Sequence, residues 1–598
     1  MINLARMNFY DVATAPYNFV SLPEKVLPAP LDDLKNFAEY MTSRKLFSGE
    51  IALEIEALTP LFIGGNGSES FAPADKPIIP GSSLRGMFRN IFKIVTCGAF
   101  RGRTTSQKKG EDFNDEHIYY RCLMGVGKYS WTKDLNRVYN GRMVTMKRGK
   151  DGKVRPVKNA RPGFLIRTRD NKYFIAPSLV GDNKSNRIPI RNFRTDDRKS
   201  SRVEWRGATA YIFTGFQKNK NFIRTTKIDY VDWSREHWAE LPDEVQTSYA
   251  NDRNRRGFDL LDEKKNPKSF LTRAELERLT GKNLPDVKTL IPCHYLEENG
   301  QVTAFGHGQC FRIPYKNRIG DAVKIAGNDS IDFADLIFGM KNLASRVYFE
   351  DATPEKFSTL PRATTHPLMQ PNPTSYQLYL KQSGGKLNHW DSDGAQIRGC
   401  KFYWHNAAPD WKANQSELNL DVGKTADKRL TKEMTPLNKG SRFTSKIRFK
   451  NLNALELGAL MMIFNLNGAP NAAYKIGQGK PFGFGSIKIA SKLFIEDAAA
   501  YGELFDVDGW RNPYREENPA AYLDAFKKYV AEKNMAEIWR KVMAELNKIL
   551  DWSLTSRAGW SDKIKSMSGD VSTGNVDERF KQREVLPPIS TIFEVMRK

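Results

Sequence analysis

Lys475-Ile476-Gly477-Gln478-Gly479-Lys480-Pro481-Phe482-Gly483-Phe484-Gly485-Ser486 is the stretch on which the reading of this 598-residue chain turns. Glycines at 477, 479, 483 and 485 let the backbone take positive φ and let an outside group approach main-chain N–H groups that no Cβ shields. Lys475, Lys480 and Lys488 add positive charge, and Phe482 and Phe484 offer ring faces on which a base can stack. No Lys-Ser/Thr pair follows the last glycine, which excludes a nucleoside-triphosphate loop. Ser486-Ile487-Lys488-Ile489 alternates like a strand, which excludes a dinucleotide-binding turn into a helix. A tight turn ahead of a strand needs the same glycines, so these residues alone leave a phosphate cradle and a plain turn both open.

Working outward, Ile51-Ala52-Leu53-Glu54-Ile55-Glu56-Ala57 alternates as a half-buried strand does and runs into Leu58-Thr59-Pro60-Leu61-Phe62-Ile63-Gly64-Gly65. After a loop, Ile79-Pro80-Gly81-Ser82-Ser83-Leu84-Arg85-Gly86 opens a helix over 82–95, with Ser82 expected as its N-cap. Leu84, Met87, Phe88, Ile91, Phe92 and Val95 make one apolar face. Arg85, Arg89 and Lys93 are spaced by four and form a cationic stripe, which is either a solvated face or, starting at a helix N-terminus, a phosphate contact. Strands at 346–350, 443–449 and 484–489 and a helix at 454–465 complete the order βαββαβ. The expected class is therefore α+β: a ferredoxin-like (RRM-like) core with two large insertions and a helical C-terminal extension.

The domain boundaries that follow are 1–97 for a leader and the first half of the core, 98–330 for a basic, mostly β insertion, and 331–352 for the second-strand region. A second insertion occupies 353–441, the second half of the core 442–490, and a helical extension with a tail 491–598.

Lys plus Arg number 93 against 69 Asp plus Glu, a formal charge of +24 that points to a nucleic-acid partner. No polybasic tract adjoins a lipid anchor, and the apolar run near 455–466 is too short to span a bilayer, so no membrane partner is expected. Five widely spaced cysteines, at 97, 122, 293, 310 and 400, fit a reducing compartment, and no secretory h-region follows Met1. These features give the expectation of a cytoplasmic protein.

The block 58–65 followed by 79–86 resembles the first strand and first helix of the RAMP superfamily, which includes the backbone subunits of type III CRISPR effector complexes. Leu336-Ile337-Phe338-Gly339 with Ser345-Arg346-Val347-Tyr348-Phe349-Glu350-Asp351-Ala352 resembles its second-strand signature, and 477–485 its C-terminal glycine-rich loop. The matching blocks cover about 40 residues and leave the long insertions unexplained. The resemblance implies a guide CRISPR RNA, a complementary target RNA and other effector subunits as partners. It implies RNA contacts from Ser82, Ser83, Arg85, Arg89, Arg346, Lys475, Gly477, Gly479, Lys480, Gly483, Phe484 and Gly485. It also implies a hairpin thumb projecting from the 353–441 insertion.

Catalytic members carry an RNA-cleaving aspartate in the loop between first strand and first helix. The carboxylates there are Glu69 and Asp75, and the chemistry implied is Mg²⁺-assisted attack of a ribose 2′-hydroxyl on the adjacent phosphate. Asp75 lies closer to the 79–86 block than that aspartate usually does, and Glu69 is not an aspartate, so a plain turn carboxylate stays open. Cys293, His294, His307 and Cys310 pose a zinc question, with the ordinary half of a β-hairpin as the alternative. His307 and His405 are the acid–base candidates if the chain is instead a stand-alone endoribonuclease processing precursor CRISPR RNA. A non-catalytic RNA-binding module is the third reading.

Overall fold

The computed structural model describes residues 12–64, 71, 73, 75–102, 112–120, 138–149, 151–180, 187–189, 202–205, 208–212, 222–252, 259–265, 267–368, 373–382, 387–415, 417–418, 431–503, 505–506, 509–510, 512–567 and 583–592. The chain divides into two compact units, one made of 1–115 with 319–598 and the other of 116–318. The compact second unit is narrower than the insertion expected at 98–330; the flanks stay with the first unit, Asp112 through Lys93 of its first long helix and Ala326 through backbone hydrogen bonds with Glu24 and Val26.

The first unit is built on a seven-stranded antiparallel sheet. Its strands are β1 (Leu46–Ala57), β2 (Val347–Phe349), β3 (Thr353–Lys356), β4 (Arg442–Asn453), β5 (Tyr474–Lys475), β6 (Ser486–Glu496) and β7 (Tyr514–Glu517). They lie in the order β2–β4–β1–β6–β5, with β3 also on β4 and β7 also on β6. Ile51 stands opposite Ile447 on one side and Leu493 on the other, so alternation puts an apolar row across three strands. Ile51, Leu53, Ile55, Phe443, Ile447 and Phe449 are all buried.

Helices α1 (Gly81–Val95) and α3 (Ala454–Asn465) pack together against that apolar side. Leu84, Phe88, Ile91, Phe92 and Val95 of α1 are buried as their spacing requires. A short helix α2 (Phe333–Phe338) packs on α1 and α3. α4 (Ala520–Glu532) and α5 (Ala536–Leu550) form an outer layer, α4 on α3 and α5 on α1. Gly458 explains the close approach of α4, because a Cβ there would lie 1.9 Å from the Tyr522 carbonyl oxygen. Trp539 of α5 donates its indole N–H to the Val95 carbonyl at 2.7 Å. Ahead of these helices β7 adds an edge to the sheet, and Phe505–Asp506 pairs with Gly509–Trp510.

Within 353–441 the chain does not form one projecting hairpin among the described residues. Ala363–Thr364 pairs with Glu433–Met434, and Cys400–Tyr403 pairs with the strand Tyr17–Val20 far upstream.

The second unit carries a six-stranded sheet in which Arg161–Thr168 and Val287–Glu298 are central. Leu165, Ile175, Ile291 and Tyr295 lie in one apolar cluster with Tyr249, and Phe164, Ile166, Ala176 and Leu290 in another with Leu276. Both faces are therefore covered. A separate hairpin, Val144–Arg148 with Val154–Lys158, is almost wholly exposed.

Candidate nucleic-acid interface

Antiparallel pairing dictates where the loops gather. β1 and β2 each run opposite to β4, and β6 runs opposite to β1, so the C-terminal ends of β1 and β2 and the N-terminal ends of β4 and β6 share one end of the sheet. The stretches 58–64, 79–86, 350–352 and 477–485 lie at that end, whereas Leu336–Gly339 precedes β2. The Leu58 amide donates to the Ser486 carbonyl (2.8 Å), Gln478 N to Phe62 O (2.9 Å) and Gly485 N to Pro60 O (2.8 Å). The Thr59 hydroxyl donates to the Gly483 carbonyl and accepts from the Ser486 amide, both at 3.0 Å. The first block and the glycine-rich loop are thereby stitched together. The other two blocks meet as well: Ile79 and Ala352 exchange backbone hydrogen bonds of 3.1 and 2.8 Å, and Gly81 N donates to Asp351 Oδ1 at 2.7 Å.

The glycines take φ of 83° (Gly477), 71° (Gly479), 103° (Gly483) and 73° (Gly485). Their immediate reason is internal packing rather than an open approach. A Cβ at Gly485 would sit 1.9 Å from the Ile476 carbonyl oxygen, and one at Gly477 2.5 Å from that of Phe62. Lys475 is buried; its Nζ donates to the carbonyls of Gly483 (2.9 Å) and Phe484 (3.0 Å) and braces the loop from within. Burial, with Lys480 nearby, drives its pKa well below the usual lysine range. Phe482 and Phe484 lie in an apolar cluster with Phe62, Trp411 and Met434, so their rings are not stacking platforms. Lys480 is half-buried; its carbonyl accepts from the Gly483 amide at 3.0 Å, while its amine has no hydrogen bond or ion pair among the described residues and is left for a ligand.

Around α1 the structure corrects two expectations. The residue preceding the helix is Pro80, not Ser82, and the capping acceptor is Asp351 from the second-strand block. Ser82 is exposed and Ser83 half-buried at the helix start. The cationic stripe is turned inward and partnered: Arg85 donates to the Phe338 carbonyl (2.7 Å), Arg89 pairs with Asp112 (3.1 Å), and buried Lys93 pairs with Asp112 (2.6 Å). Arg346 is buried too. It donates to Leu336 O (3.1 Å) and Asn451 O (2.9 Å) and forks onto Glu456 of α3. Periodicity fixed the spacing of these cations but not the carboxylates, distant in sequence, that receive them.

Asp75 is exposed, with no partner among the described residues, and Glu69 lies outside the described residues. Among the described residues no group of three His, Cys, Asp or Glu is placed to hold a metal. Cys293 and His294 are successive strand residues that face opposite sides of the sheet, Cys293 in an apolar core. His405 is buried, with Nε2 3.1 Å from Ala473 O and Nδ1 2.9 Å from Ser486 Oγ. A carbonyl only accepts, so Nε2 carries the proton and Nδ1 accepts from the serine. Burial, and then Lys475, push its pKa down to about 3. A neutral histidine locked in this way is a brace.

Two features of the site escaped the sequence reading. Lys432 Nζ lies over the Phe62 ring (5.0 Å) and donates to Gln478 Oε1 (3.1 Å). His366 sits beside Phe482 with Nδ1 2.7 Å from Glu417 and Nε2 3.0 Å from Asp410. No spacing rule joins residues 51 apart, so neither contact had a signal in the sequence.

The open face of the sheet shows Glu50, Ala52, Glu54 and Glu56 on β1 and Arg442, Thr444, Lys446 and Arg448 on β4. Lys446 pairs with Glu50 at 2.7 Å and Arg448 with Glu350 at 2.6 Å. The two central strands thus present charge and small residues there rather than the aromatic rings that stack bases on an RRM sheet. The candidate interface is the loop end, not the face.

A sequence model of the RAMP superfamily matches residues 54–247, about a third of the chain. The match begins in β1 and takes in α1, and it supports membership of that superfamily and with it a CRISPR-associated, RNA-binding function. No curated protein matches the chain. Among the described residues no helix is long and apolar enough to cross a membrane.

Proposed function

We propose that the chain binds guide CRISPR RNA as a backbone subunit of a type III effector ribonucleoprotein and that the loop between β1 and α1 cuts complementary target RNA. The observation that carries this reading is the convergence of the 58–65, 79–86, 345–352 and 477–485 blocks at one end of the sheet. A ferredoxin-like core is supported by the order in which its four long-recognised strands lie, β2–β4–β1–β6, with α1 and α3 on one side. RNA is held by Lys480, by Ser82 and Ser83, and by main-chain groups of Gly477 and Gly479. Arg346, Lys475 and Phe484 act behind this surface by holding its shape, and Arg85 and Arg89 position α1.

Magnesium typically takes one or two carboxylates and fills its shell with water and substrate phosphate. Asp75, exposed and without a partner among the described residues, fits that modest demand. A bound Mg²⁺ supplies charge neutralisation at the scissile phosphate. Asp75 would hold the ion, and the glycine-rich loop and the start of α1 would fix the RNA backbone.

Sequencing the RNA that copurifies with the chain tests the reading. Spacer-length guides together with partner subunits are expected. Repeat hairpins with a single cut site, made by the lone chain, would establish the processing endonuclease instead, although the locked, neutral His405 argues against its acid–base chemistry. With guide and target bound, Asp75→Ala should abolish cleavage and leave binding intact. Retained cleavage would make the chain a binding scaffold or move the chemistry elsewhere in the loop.

A further inference from the structure

We propose that the hairpin formed by Val144–Arg148 and Val154–Lys158 binds duplex DNA by entering its major groove. The segment 144–158 carries Lys or Arg at 147, 148, 150, 153, 155 and 158 against Asp151 alone. Among the described residues its two strands pair only with each other, as a ribbon apart from the six-stranded sheet of the same unit. The base of the ribbon is anchored. Tyr139, Met143 and Ala160 are buried, Asn159 N donates to Met143 O at 2.9 Å, and Arg142 donates to Pro314 O (2.7 Å) and pairs with Glu298 (3.1 Å). Beyond that base nothing among the described residues covers the arms, and Met146 and Val154 are 61% and 58% exposed. Each arm is five residues long, about 17 Å at the rise of an extended chain.

The register gives this ribbon cations on both faces. Lys147 stands opposite Arg155 on one face, which alternation extends to Lys153, while Arg148 and Lys158 share the other face with Met146, Val154 and Pro156. A flat contact needs charge on one face only; charge on both suits a body flanked by phosphates on two sides. Arg148 Nε donates to Gly152 O at 3.1 Å and Arg155 pairs with Asp151, whereas the amines of Lys147, Lys153 and Lys158 have no hydrogen bond or ion pair among the described residues. The charges left over are compact ammonium groups, which bind phosphate without reading sequence. A ribbon with its side chains is about 10 Å thick, and the major groove of B-form DNA, about 12 Å wide, admits one. The major groove of an RNA duplex is too narrow for side chains and its minor groove is shallow. The segment 144–158 also has no aromatic ring on which an unpaired base could stack. Duplex DNA is therefore the partner that the shape favours, and the proposal goes beyond the guide-RNA reading.

Fluorescence anisotropy of the full chain with a labelled DNA duplex, an RNA duplex of the same sequence and the separate single strands, across a salt series, tests the site. The wild type should bind the DNA duplex most tightly. Lys147→Gln, Lys153→Gln and Lys158→Gln together should weaken that binding at least about tenfold and lower the slope of log affinity against log salt by about 3. Lys450→Gln, Lys528→Gln and Lys533→Gln remove the same charge from exposed positions elsewhere and should change DNA affinity less than about threefold. Thermal melts of both variants should coincide with that of the wild type, and the hairpin variant should keep its affinity for guide CRISPR RNA. Unchanged DNA affinity in the hairpin variant, an equal loss in the control variant, a parallel loss of guide RNA, or tighter binding of the RNA duplex or the single strands than of the DNA duplex would overturn the proposal. A wild type that binds DNA through the hairpin but takes no guide RNA would sink the guide-RNA reading alone.

Discussion

The Asp351 carboxylate accepts a hydrogen bond from the Gly81 amide at 2.7 Å, so an acidic group from beyond β2 holds the electropositive start of α1. Removing it in Asp351→Ala should cost about 1 kcal/mol, the usual loss on deleting a helix cap. Asp351→Asn should recover part of that. Urea unfolding midpoints of the three proteins decide it, and an unchanged midpoint in Asp351→Ala would show that solvent caps the helix equally well.

Arg346 and Glu456 are both buried and paired, and Glu456 also closes the capping box of α3 with Asn453. Arg346→Ala leaves that carboxylate without its partner and should cost about 3–5 kcal/mol. Arg346→Met combined with Glu456→Gln should cost less than Arg346→Ala. The same denaturation series reads the comparison. A variant of Arg346 that stays fully stable but loses RNA would return this arginine to the RNA surface.

Lys475 and Lys480 lie five positions apart and should behave oppositely. Lys475→Met removes the brace on the Gly483 and Phe484 carbonyls and should lower stability by about 1–3 kcal/mol. Lys480→Gln should leave stability unchanged, weaken RNA binding and reduce the slope of log affinity against log salt by about 1. Filter binding across a salt series, beside thermal melts, separates the two effects.

His366 links Glu417 and Asp410 next to Phe482. Burial lowers its pKa, but the hydrogen bonds to Asp410 and Glu417 outweigh burial, and the net shift is upward from 6.5. A raised folded-state pKa stabilises fully below the unfolded value and loses that contribution as pH rises through the folded value. His366→Gln should therefore destabilise the protein at pH 5.5 and matter progressively less above pH 6.5, on the side where wild-type histidine loses its proton. Thermal unfolding from pH 5 to 9, with wild type and variant side by side, provides the check; a gap that widens with pH would contradict it.

What the sequence by itself determined is the set of elements. Period-two alternation at Ile51, Leu53 and Ile55 and the 3.6 period of Leu84, Phe88, Ile91 and Val95 are local properties, and local physics suffices to make β1 and α1. The glycines at 477, 479, 483 and 485 announced positive φ for the same reason. Tertiary structure alone decided which charges are available. Arg85, Arg89 and Lys93 read as a cationic stripe, and Arg346 and Lys475 as RNA contacts, because spacing cannot show that Asp112, Glu456 and the Phe338 and Gly483 carbonyls come to meet them. Glycine likewise serves a ligand or a neighbouring backbone equally well in sequence, and only the 1.9 Å that would separate a Gly485 Cβ from the Ile476 carbonyl oxygen assigns it to packing. Burial turns a cation from a ligand contact into a brace, and burial is a property of the assembled fold.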